Sequence, residues 1–271
     1  MKPCLNQDTI RTTPTEKFLR AAKRAGFESV EFTMDKIEYM LKEGSLPNAK
    51  NQLDREGLAV ASINGPENFN LLDNGAFSEI LERTDKIVEA AREFDCELLI
   101  PVPSPGREGV SEQTAIVQTA SALSQMADRY GDETKLGLEF LGIRSCSINN
   151  LQAAVETIKR VGKRNVGLVL DSFHMHVSDS KLSQVTQLDA DQVFLVHVND
   201  AEPGDRLNLT DANRLYPGEG VIDLKGFGSV LKEIGYDNRI SLELLRPEYW
   251  EQDAEQVAGK GRKSLRLVFG V

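Results

Sequence analysis

The chain has 271 residues, of which 40% are hydrophobic and 27% are charged, and its formal net charge is −10 at pH 7. Proteins that grip a polyanion draw most of their binding free energy from Lys and Arg side chains that displace counterions, so this charge makes nucleic acid a poor candidate partner. The three cysteines, Cys4, Cys96 and Cys146, are widely spaced and form no CxxC pair, which argues against a disulfide framework and against a thiolate zinc site.

The N-terminal residues MKPCLNQDTI contain no apolar segment of the kind that directs export, and no run of about 18 apolar residues occurs anywhere. We therefore expect a cytoplasmic protein without a membrane partner. No Pro-, Gly- or Ser-rich linker divides the chain, so we predict one domain over residues 1–271. The sequence is compatible with a homo-oligomer, but no surface stripe identifies a contact face.

Short apolar runs typical of strands alternate along the chain with longer amphipathic stretches typical of helices. Glycines in GFES (26–29) and GYDN (235–238) stand before two of the strands, at the position expected just past a helix end. The predicted strands are 2–6, 29–32, 58–64, 97–102, 135–140, 166–171, 193–198 and 239–244. The predicted helices are 14–26, 75–95, 111–130, 149–162, 223–235 and 252–268.

Eight strand–helix units in a chain of 271 residues match the number and size of the units in a (β/α)8 TIM barrel, and we predict this α/β fold. A doubly wound sheet is the structural alternative. It usually has fewer strands and a glycine-rich first turn, whereas the turn after the first predicted strand, NQDTIRTTPTEKF, contains no glycine.

Ionisable residues lie at the ends of the last four predicted strands. In chain order these residues are Glu139, Asp171, His197 and Glu243. Each lies on the same face of its strand as the residue two positions earlier, which we expect to point into the barrel. In a barrel, alternate side chains point into the core and catalytic groups gather at the C-terminal ends of the strands. Neighbouring strands lie about 4.8 Å apart, so these four side chains can converge on one point.

Three carboxylates and an imidazole packed together would repel one another unless a cation lay between them. A single acidic residue at a strand end is more often a helix cap or a loop residue, but four in phase on successive strands favour a metal site. An oxygen-rich set with one imidazole suits a divalent ion such as Mn²⁺, Mg²⁺, Co²⁺ or Zn²⁺. We predict one divalent ion, Mn²⁺ or a relative, with open positions for a substrate.

Five segments carry a resemblance to a known family: GLEFLG (137–142), NVGLVLDSFHMH (165–176), HVNDAE (197–202), RLYPGEGVIDL (214–224) and SLELLRPEYW (241–250). With them the chain resembles the xylose-isomerase-like TIM barrels, which include ketose 3-epimerases, hydroxypyruvate isomerases and apurinic endonucleases. Within this superfamily it is most similar to the bacterial inosose isomerases of inositol catabolism. The likeness extends over nearly the whole chain and is strongest from residue 135 onward.

The resemblance also implies roles for individual residues. The four strand-end residues match the metal ligands of the family, in agreement with the strand phase. His174 matches a histidine that touches a substrate oxygen, and Arg214 matches an arginine that binds a substrate hydroxyl. Two further candidates for substrate binding follow from position alone: His176, two residues after His174, either lines the pocket or supports a loop, and Asn6 lies at the end of the first predicted strand.

Other positions near the predicted site have no assigned role. Glu31 and Asn64, near the ends of early strands, are plausible pocket residues. Asp205 and Arg206 lie in a loop without a clear pattern. The residues directly after the last strand either border the pocket or form a subunit contact, and they are Arg246, Glu248 and Trp250.

The resemblance implies a reaction on a small polyol ketone or ketose. A metal ion would polarise an α-hydroxyketone, Glu139 or Glu243 would remove a carbon-bound proton, and a cis-enediolate would carry the carbonyl to the next carbon. The conversion of 2-keto-myo-inositol to 1-keto-D-chiro-inositol is the expected case. The alternatives are a ketose 3-epimerase, a hydroxypyruvate isomerase and a metal-free binding module. An apurinic endonuclease is disfavoured because the chain has three histidines and a net charge of −10.

Overall fold

Eight parallel strands close into a barrel in the computed structural model, which describes residues 1–106 and 108–271. The barrel strands are β1 (Lys2–Asn6), β2 (Ser29–Thr33), β3 (Ala59–Glu67), β4 (Leu98–Val102), β5 (Lys135–Glu139), β6 (Val166–Asp171), β7 (Val193–Val198) and, after two short strands, β10 (Arg239–Leu242). The short strands β8 (Asp200–Ala201) and β9 (Arg214–Leu215) pair antiparallel outside the barrel. Each barrel strand pairs with its neighbours in sequence, and β1 pairs with β10 to close the ring.

Helices connect the strands and surround the barrel. They are α1 (Thr15–Ala25), α2 (Met34–Lys42), α3 (Leu46–Glu56), α4 (Asn74–Glu93), α5 (Glu112–Tyr130), α6 (Leu151–Val161), α7 (Ser172–Val177), α8 (Leu182–Val185), α9 (Leu224–Glu233), α10 (Pro247–Trp250) and α11 (Ala254–Phe269). The prediction of a (β/α)8 TIM barrel is confirmed, and the doubly wound alternative is excluded by the closed ring. The prediction of one domain over 1–271 stays a prediction.

Capping residues explain where several helices begin and end. The side chains of Asp73, Ser111 and Asn150 accept hydrogen bonds from backbone N–H groups three residues later, at 3.0, 3.1 and 2.9 Å. Gly26 and Gly162 end α1 and α6 in the left-handed region, at φ 87° and 65°. A residue with a Cβ adopts this conformation only at a cost, so the glycine ends the helix at this point.

Two strand ends differ from the predicted bounds by more than one residue. The strand β3 continues to Glu67 instead of ending at Asn64, and its pairing with β4 shifts register between Asn64 and Gly65. The strand β10 ends at Leu242, although the N–H of Glu243 still donates to the carbonyl of Val198 at 3.2 Å. The ladder therefore reaches the predicted metal ligand even though the regular strand stops before it.

Five helices, α2, α3, α7, α8 and α10, lie outside the predicted helical stretches. The 3.6-residue period of a helix needs several turns to stand out, and α7, α8 and α10 have four to six residues each. The helix α2 follows β2 without a break, because Thr33 ends the strand and its hydroxyl caps the helix.

The interior of the barrel has an apolar layer below a polar one. Leu98, Ile100, Val169 and Leu195 form a cluster inside the ring, and a much larger apolar cluster lies between the barrel and the surrounding helices. Val169 and Leu195 each precede a predicted metal ligand by two residues, so the alternation of a strand carries those ligands into the interior one layer higher. None of the helices in the described part of the chain combines the length and apolar character needed to cross a bilayer.

Candidate metal centre and pocket

The structure brings the four predicted metal ligands together at the C-terminal ends of their strands. Glu139, Asp171, His197 and Glu243 each offer one ligand atom, and these atoms all lie within 4.8 Å of one another. All four side chains are buried. Strand register accounts for the meeting, since Asp171 pairs directly with His197 between β6 and β7, and His197 pairs with Ser241, two residues before Glu243.

The donor set fits a divalent cation. Three carboxylates and one imidazole share a buried volume in which their mutual repulsion is poorly screened. Oxygen donors with one nitrogen suit Mn²⁺, Mg²⁺, Co²⁺ and Zn²⁺, and the chemistry of the set does not choose among them.

His197 lies between carboxylates on both sides of its ring. Nδ1 is 2.7 Å from Glu139 Oε1 and 3.4 Å from Glu243 Oε2, while Nε2 is 3.1 Å from Glu31 Oε2. Burial alone would lower the pKa of His197, but the surrounding carboxylates of Glu243, Glu139 and Glu31 raise it well above its usual value. The ring is thus held in one orientation, with Nδ1 facing the predicted metal ligands and Nε2 facing away from them.

Glu31 is a fully buried carboxylate beneath the metal centre. In addition to His197 Nε2, it accepts hydrogen bonds from the hydroxyls of Ser62 and Ser241 and from the Asn6 amide at 3.3 Å. Burial works to raise the pKa of Glu31, but the interactions with His197 and the two serines outweigh it, and the pKa is lowered. A charged carboxylate with this many donors is a stable partner for the histidine N–H.

Arg214 is buried and links the acidic groups on one side of the site. Its Nη1 donates to Asp171 Oδ2 at 2.8 Å and to Glu243 Oε2 at 3.0 Å, and its Nε donates to Asp211 Oδ1 at 2.9 Å. The guanidinium carbon lies 4.9 Å from the centroid of the Phe173 ring. Five fixed donors with this many acceptors hold the guanidinium in place.

Asp171 caps the helix that carries His174. Its Oδ1 accepts from the backbone N–H of His174 at 2.9 Å, and its Oδ2 accepts from Asn199 Nδ2 at 3.0 Å. Burial works to raise the pKa of Asp171, but Arg214 and the two nearby histidines outweigh it and hold the pKa far below its usual range. The carboxylate is therefore ionised and oriented by the first turn of α7.

His174 lines the cavity, and one of its ring nitrogens has no hydrogen-bond partner in the described part of the protein. Its Nε2 lies 3.2 Å from Arg214 Nη2, and because a guanidinium can only donate, Nε2 accepts and the proton is on Nδ1. Nδ1 is buried and has no hydrogen-bond partner among the described residues. Burial lowers the pKa of His174, so the ring is neutral at pH 7. His174 therefore carries a buried N–H donor that the described residues leave unsatisfied.

A cavity of about 220 Å³ opens at this end of the barrel. Glu139, Glu243, His174 and Arg214 line it, and other lining residues come from the ends of β1 and β3, namely Asp8, Asn64, Glu67 and Asn68. Pockets for drug-sized ligands usually measure about 300–1,000 Å³, so this cavity is suited to a smaller molecule.

Two predicted substrate-binding residues lie away from the lining of this cavity. Asn6 is buried, and its Nδ2 donates to Glu243 Oε1 at 3.0 Å as well as to Glu31. His176 is half-buried on the side of α7 that faces the loop around Arg206. The roles of Asn6 and His176 in substrate binding stay predictions, whereas His174 and Arg214 do line the cavity.

The residues whose roles the sequence left open have clear positions. Asp205 and Arg206 are exposed, and Arg206 forms an ion pair with Asp179. Arg246 bridges Glu202 and Glu248 at 2.6 and 3.2 Å.

Trp250 lies against the chain after β1, where its Nε1 donates to the carbonyl of Asp8 at 2.7 Å. The segment after the last strand therefore supports the loop that follows the first one.

Four further residues of the site had no assigned role in the sequence. Asn199 and Asp211 orient Asp171 and Arg214, Glu31 orients His197, and Asp8 lines the cavity. Asn199, Asp211 and Asp8 had a local signal, since each lies within three residues of a predicted site residue. Glu31 was a plausible pocket residue from its place on an early strand, but its contact with His197 exists only because the barrel closes.

The comparisons with known proteins agree with this geometry. The family described as "Xylose isomerase-like TIM barrel" matches residues 19–267. An inosose isomerase of Halalkalibacterium halodurans is 33% identical over 261 residues, which cover 94% of this chain and 92% of that one. An inosose isomerase of Bacillus subtilis is 32% identical and covers 97% and 96% of the two chains.

A solved structure of the IolI protein with a binding zinc atom superimposes with a TM-score of 0.94 at 30% identity, over 100% of this chain and 98% of that one. The resemblance inferred from the five segments is thereby confirmed. On the fold, the family match and these relatives, the chain belongs to the xylose isomerase-like TIM barrel family.

Proposed function

We propose that the protein is a metal-dependent isomerase that moves the carbonyl of an α-hydroxyketone by one carbon, with 2-keto-myo-inositol as substrate and 1-keto-D-chiro-inositol as product. The main support for this proposal is the buried set of three carboxylates and an imidazole at the wall of a small cavity. The inosose isomerase relatives support the enzyme class, a sugar or cyclitol isomerase.

Glu139, Asp171, His197 and Glu243 would hold the metal ion, for which we propose Mn²⁺. The bound ion supplies a Lewis acid for the adjacent carbonyl and hydroxyl oxygens of the substrate. The zinc atom of the similar IolI structure makes Zn²⁺ the first alternative to test.

Two glutamates can handle the proton that moves between carbons. Glu139 and Glu243 both line the cavity, from strands separated in the ring by β6 and β7. The carboxylate of Glu243 is oriented by Arg214 Nη1 and Asn6 Nδ2, each at 3.0 Å, and we assign Glu243 to remove the proton from the hydroxyl-bearing carbon. That proton is delivered to the former carbonyl carbon, either by Glu243 itself or by Glu139 after it passes between the two carboxylates, and the hydroxyl proton moves to the former carbonyl oxygen.

His174 and Arg214 orient the substrate in this scheme. The Nδ1–H of His174 has no partner among the described residues and donates to a substrate oxygen. Arg214 lines the cavity while its Nη1 holds Asp171 and Glu243. It therefore fixes two of the proposed metal ligands and offers a cationic edge to a hydroxyl group.

The decisive experiment follows deuterium placed on the hydroxyl-bearing carbon beside the ketone. The purified protein, with Mn²⁺ or Zn²⁺ added, is incubated with a panel of inososes and ketohexoses. We expect loss or transfer of the label only with inososes. Turnover of tagatose or fructose in place of inososes would assign the protein to the ketose 3-epimerases.

The variant Glu243→Gln tests the assigned base. It should abolish turnover, a loss of about 10²-fold or more for a group in this role, while part of the metal binding remains. Glu248→Gln, an exposed acid that follows the same strand, serves as the control. Near-parental turnover by Glu243→Gln would refute the assignment.

A further inference from the structure

Asp8 is a buried carboxylate in the wall of the cavity that the proposed mechanism does not use. It follows β1 in a short 3₁₀ helix, Gln7–Ile10, and is 9% exposed. The cavity that holds Glu139, Glu243 and His174 is also lined by Asp8, with Asn64, Glu67 and Asn68 beside it. This part of the wall is made of hydrogen-bonding side chains.

The carboxylate of Asp8 lacks hydrogen bonds within the described part of the protein. Its Oδ1 is buried without a hydrogen-bond partner. The Nε of Arg11 stands 3.5 Å away, beyond good hydrogen-bond distance, on a side chain that is about half exposed. A buried acceptor without a donor normally costs stability, so such groups in native proteins call for an explanation.

The backbone holds Asp8 firmly in this position. Its N–H donates to Asn6 Oδ1 at 2.8 Å, and its carbonyl accepts from Trp250 Nε1 at 2.7 Å. The main chain of Asp8 is therefore tied to the ends of β1 and α10 at this point of the cavity wall. Because burial raises its pKa to about 6, it is mostly ionised at pH 7 and remains a strong acceptor.

An ionised acceptor that lies in a cavity wall without a hydrogen-bond donor among the residues described is suited to donors on a ligand. Hydroxyl groups supply such donors without adding charge. The carboxylate of Glu67 on the same wall adds a second negative charge, which opposes the entry of a phosphate or carboxylate group. The chemistry of this wall thus favours an uncharged ligand with several hydroxyls.

We propose that Asp8 is a specificity-determining residue that accepts hydrogen bonds from substrate hydroxyls outside the reacting ketone and so selects uncharged, hydroxyl-rich ligands. This inference deepens the proposed function and rests on it for the identity of the substrate. Asp8 contributes to binding in the ground state and in the transition state alike. Its loss should therefore raise KM and leave kcat nearly unchanged.

The test compares Asp8→Asn with the control Asp132→Asn, which removes one charge from an exposed residue in the loop before β5. We expect Asp8→Asn to raise KM for the inosose by about 10- to 100-fold, the range for a hydrogen bond to a charged group. The control should keep KM within about twofold. Calorimetric titration with myo-inositol, which has no ketone and cannot react, should show the same loss of affinity.

A second measurement uses the unmodified protein and inososes that each lack one hydroxyl. One of these deoxy compounds should lose affinity in the parent protein but show no further loss in Asp8→Asn, because both changes remove the same interaction. Parental KM and parental myo-inositol affinity in Asp8→Asn would overturn the inference while leaving the isomerase proposal intact. If the protein turns over no ketone but loses myo-inositol binding in Asp8→Asn, the isomerase proposal falls and the role of Asp8 stands.

Discussion

The orientation of individual site residues is set by buried partners that do not line the cavity. Glu31 is the main example, since it contacts His197 Nε2 at 3.1 Å and is itself surrounded by Ser62, Ser241 and Asn6. A histidine that donates one N–H to a carboxylate keeps its other nitrogen free and more basic. The orientation of the proposed imidazole ligand is thus set one layer below the metal centre.

Replacing Glu31 with Gln should weaken metal binding by about 10- to 100-fold, the usual effect of removing such a partner. A carboxylate can accept from four donors at two oxygens, whereas an amide has one acceptor oxygen and would turn an NH₂ group toward other donors. Titration of metal-free protein with Mn²⁺ and Zn²⁺ measures the change, and Glu28→Gln, an exposed residue before β2, is the control. Equal metal affinities for the parent protein, Glu31→Gln and Glu28→Gln would show that Glu31 does not support metal binding.

The raised pKa of Asp8 leads us to expect that the stability of the protein depends on pH. Its pKa is raised by burial to about 6, opposed by Arg11 and Arg214 and assisted by Glu67 and Asp35. The native state therefore binds this proton more tightly than the unfolded chain, so the contribution of Asp8 to stability is present below about pH 4 and is lost as the pH rises to about 6.

Asp8→Asn removes the buried charge and should be more stable than the parent at pH 7 by about 1–3 kcal/mol. The difference should shrink to near zero at pH 4. Urea unfolding at the two pH values provides the measurement. A variant that is less stable at pH 7 would show that the carboxylate has a structural partner.

At the scale of elements, the helix α7 is seated against the loop after β5. A Cβ at Gly142 would lie 2.2 Å from the carbonyl oxygen of His174 and 2.6 Å from Val177 Cγ2. Such distances are far inside van der Waals contact, so any larger residue must move α7 or the loop. The position of His174 therefore depends on a residue without a side chain.

Gly142→Ala should destabilise the protein by about 1–3 kcal/mol and lower turnover by about tenfold or more, because His174 moves with its helix. The matched control is Gly259→Ala in α11, where a Cβ meets nothing within 4 Å. The free energy of unfolding of this control should rise by up to about 1 kcal/mol, because alanine has a higher helix propensity than glycine, and its activity should be unchanged. Thermal unfolding and steady-state kinetics of both variants give the answer, and full activity in Gly142→Ala would contradict the proposed coupling.

For the molecule as a whole, metal binding should stabilise the native state by mass action. An ion at 100 times its Kd contributes about 2.7 kcal/mol, which corresponds to a rise in Tm of about 5–10 °C for a chain of this size. Calorimetric scans with Mn²⁺ or Zn²⁺ should show this rise, and EDTA should reverse it. His197→Gln should respond weakly, and an unchanged Tm in the parent protein would argue against the metal centre.

The fold class and the four residues that meet at the strand ends could both be predicted from local sequence. Its alternation places Asp171 two residues after Val169 and His197 two residues after Leu195, so the face of each strand could be assigned from local spacing. Five segments were enough to identify the family, which the match over 19–267 confirms. The local periodicity of a strand indicates which face each side chain is on, so this information can be obtained without a structure.

The side chains that surround these four residues could be identified only in the folded barrel. Trp250 reaches Asp8 across 242 positions, and Ser241 reaches Glu31 across 210, because β10 pairs with β1 to close the ring. The alternation within a strand cannot predict such partners, since it indicates which residues point inward but not which residue of another strand lies opposite them. The role of Asp8 and the support of His197 by Glu31 are therefore products of barrel closure.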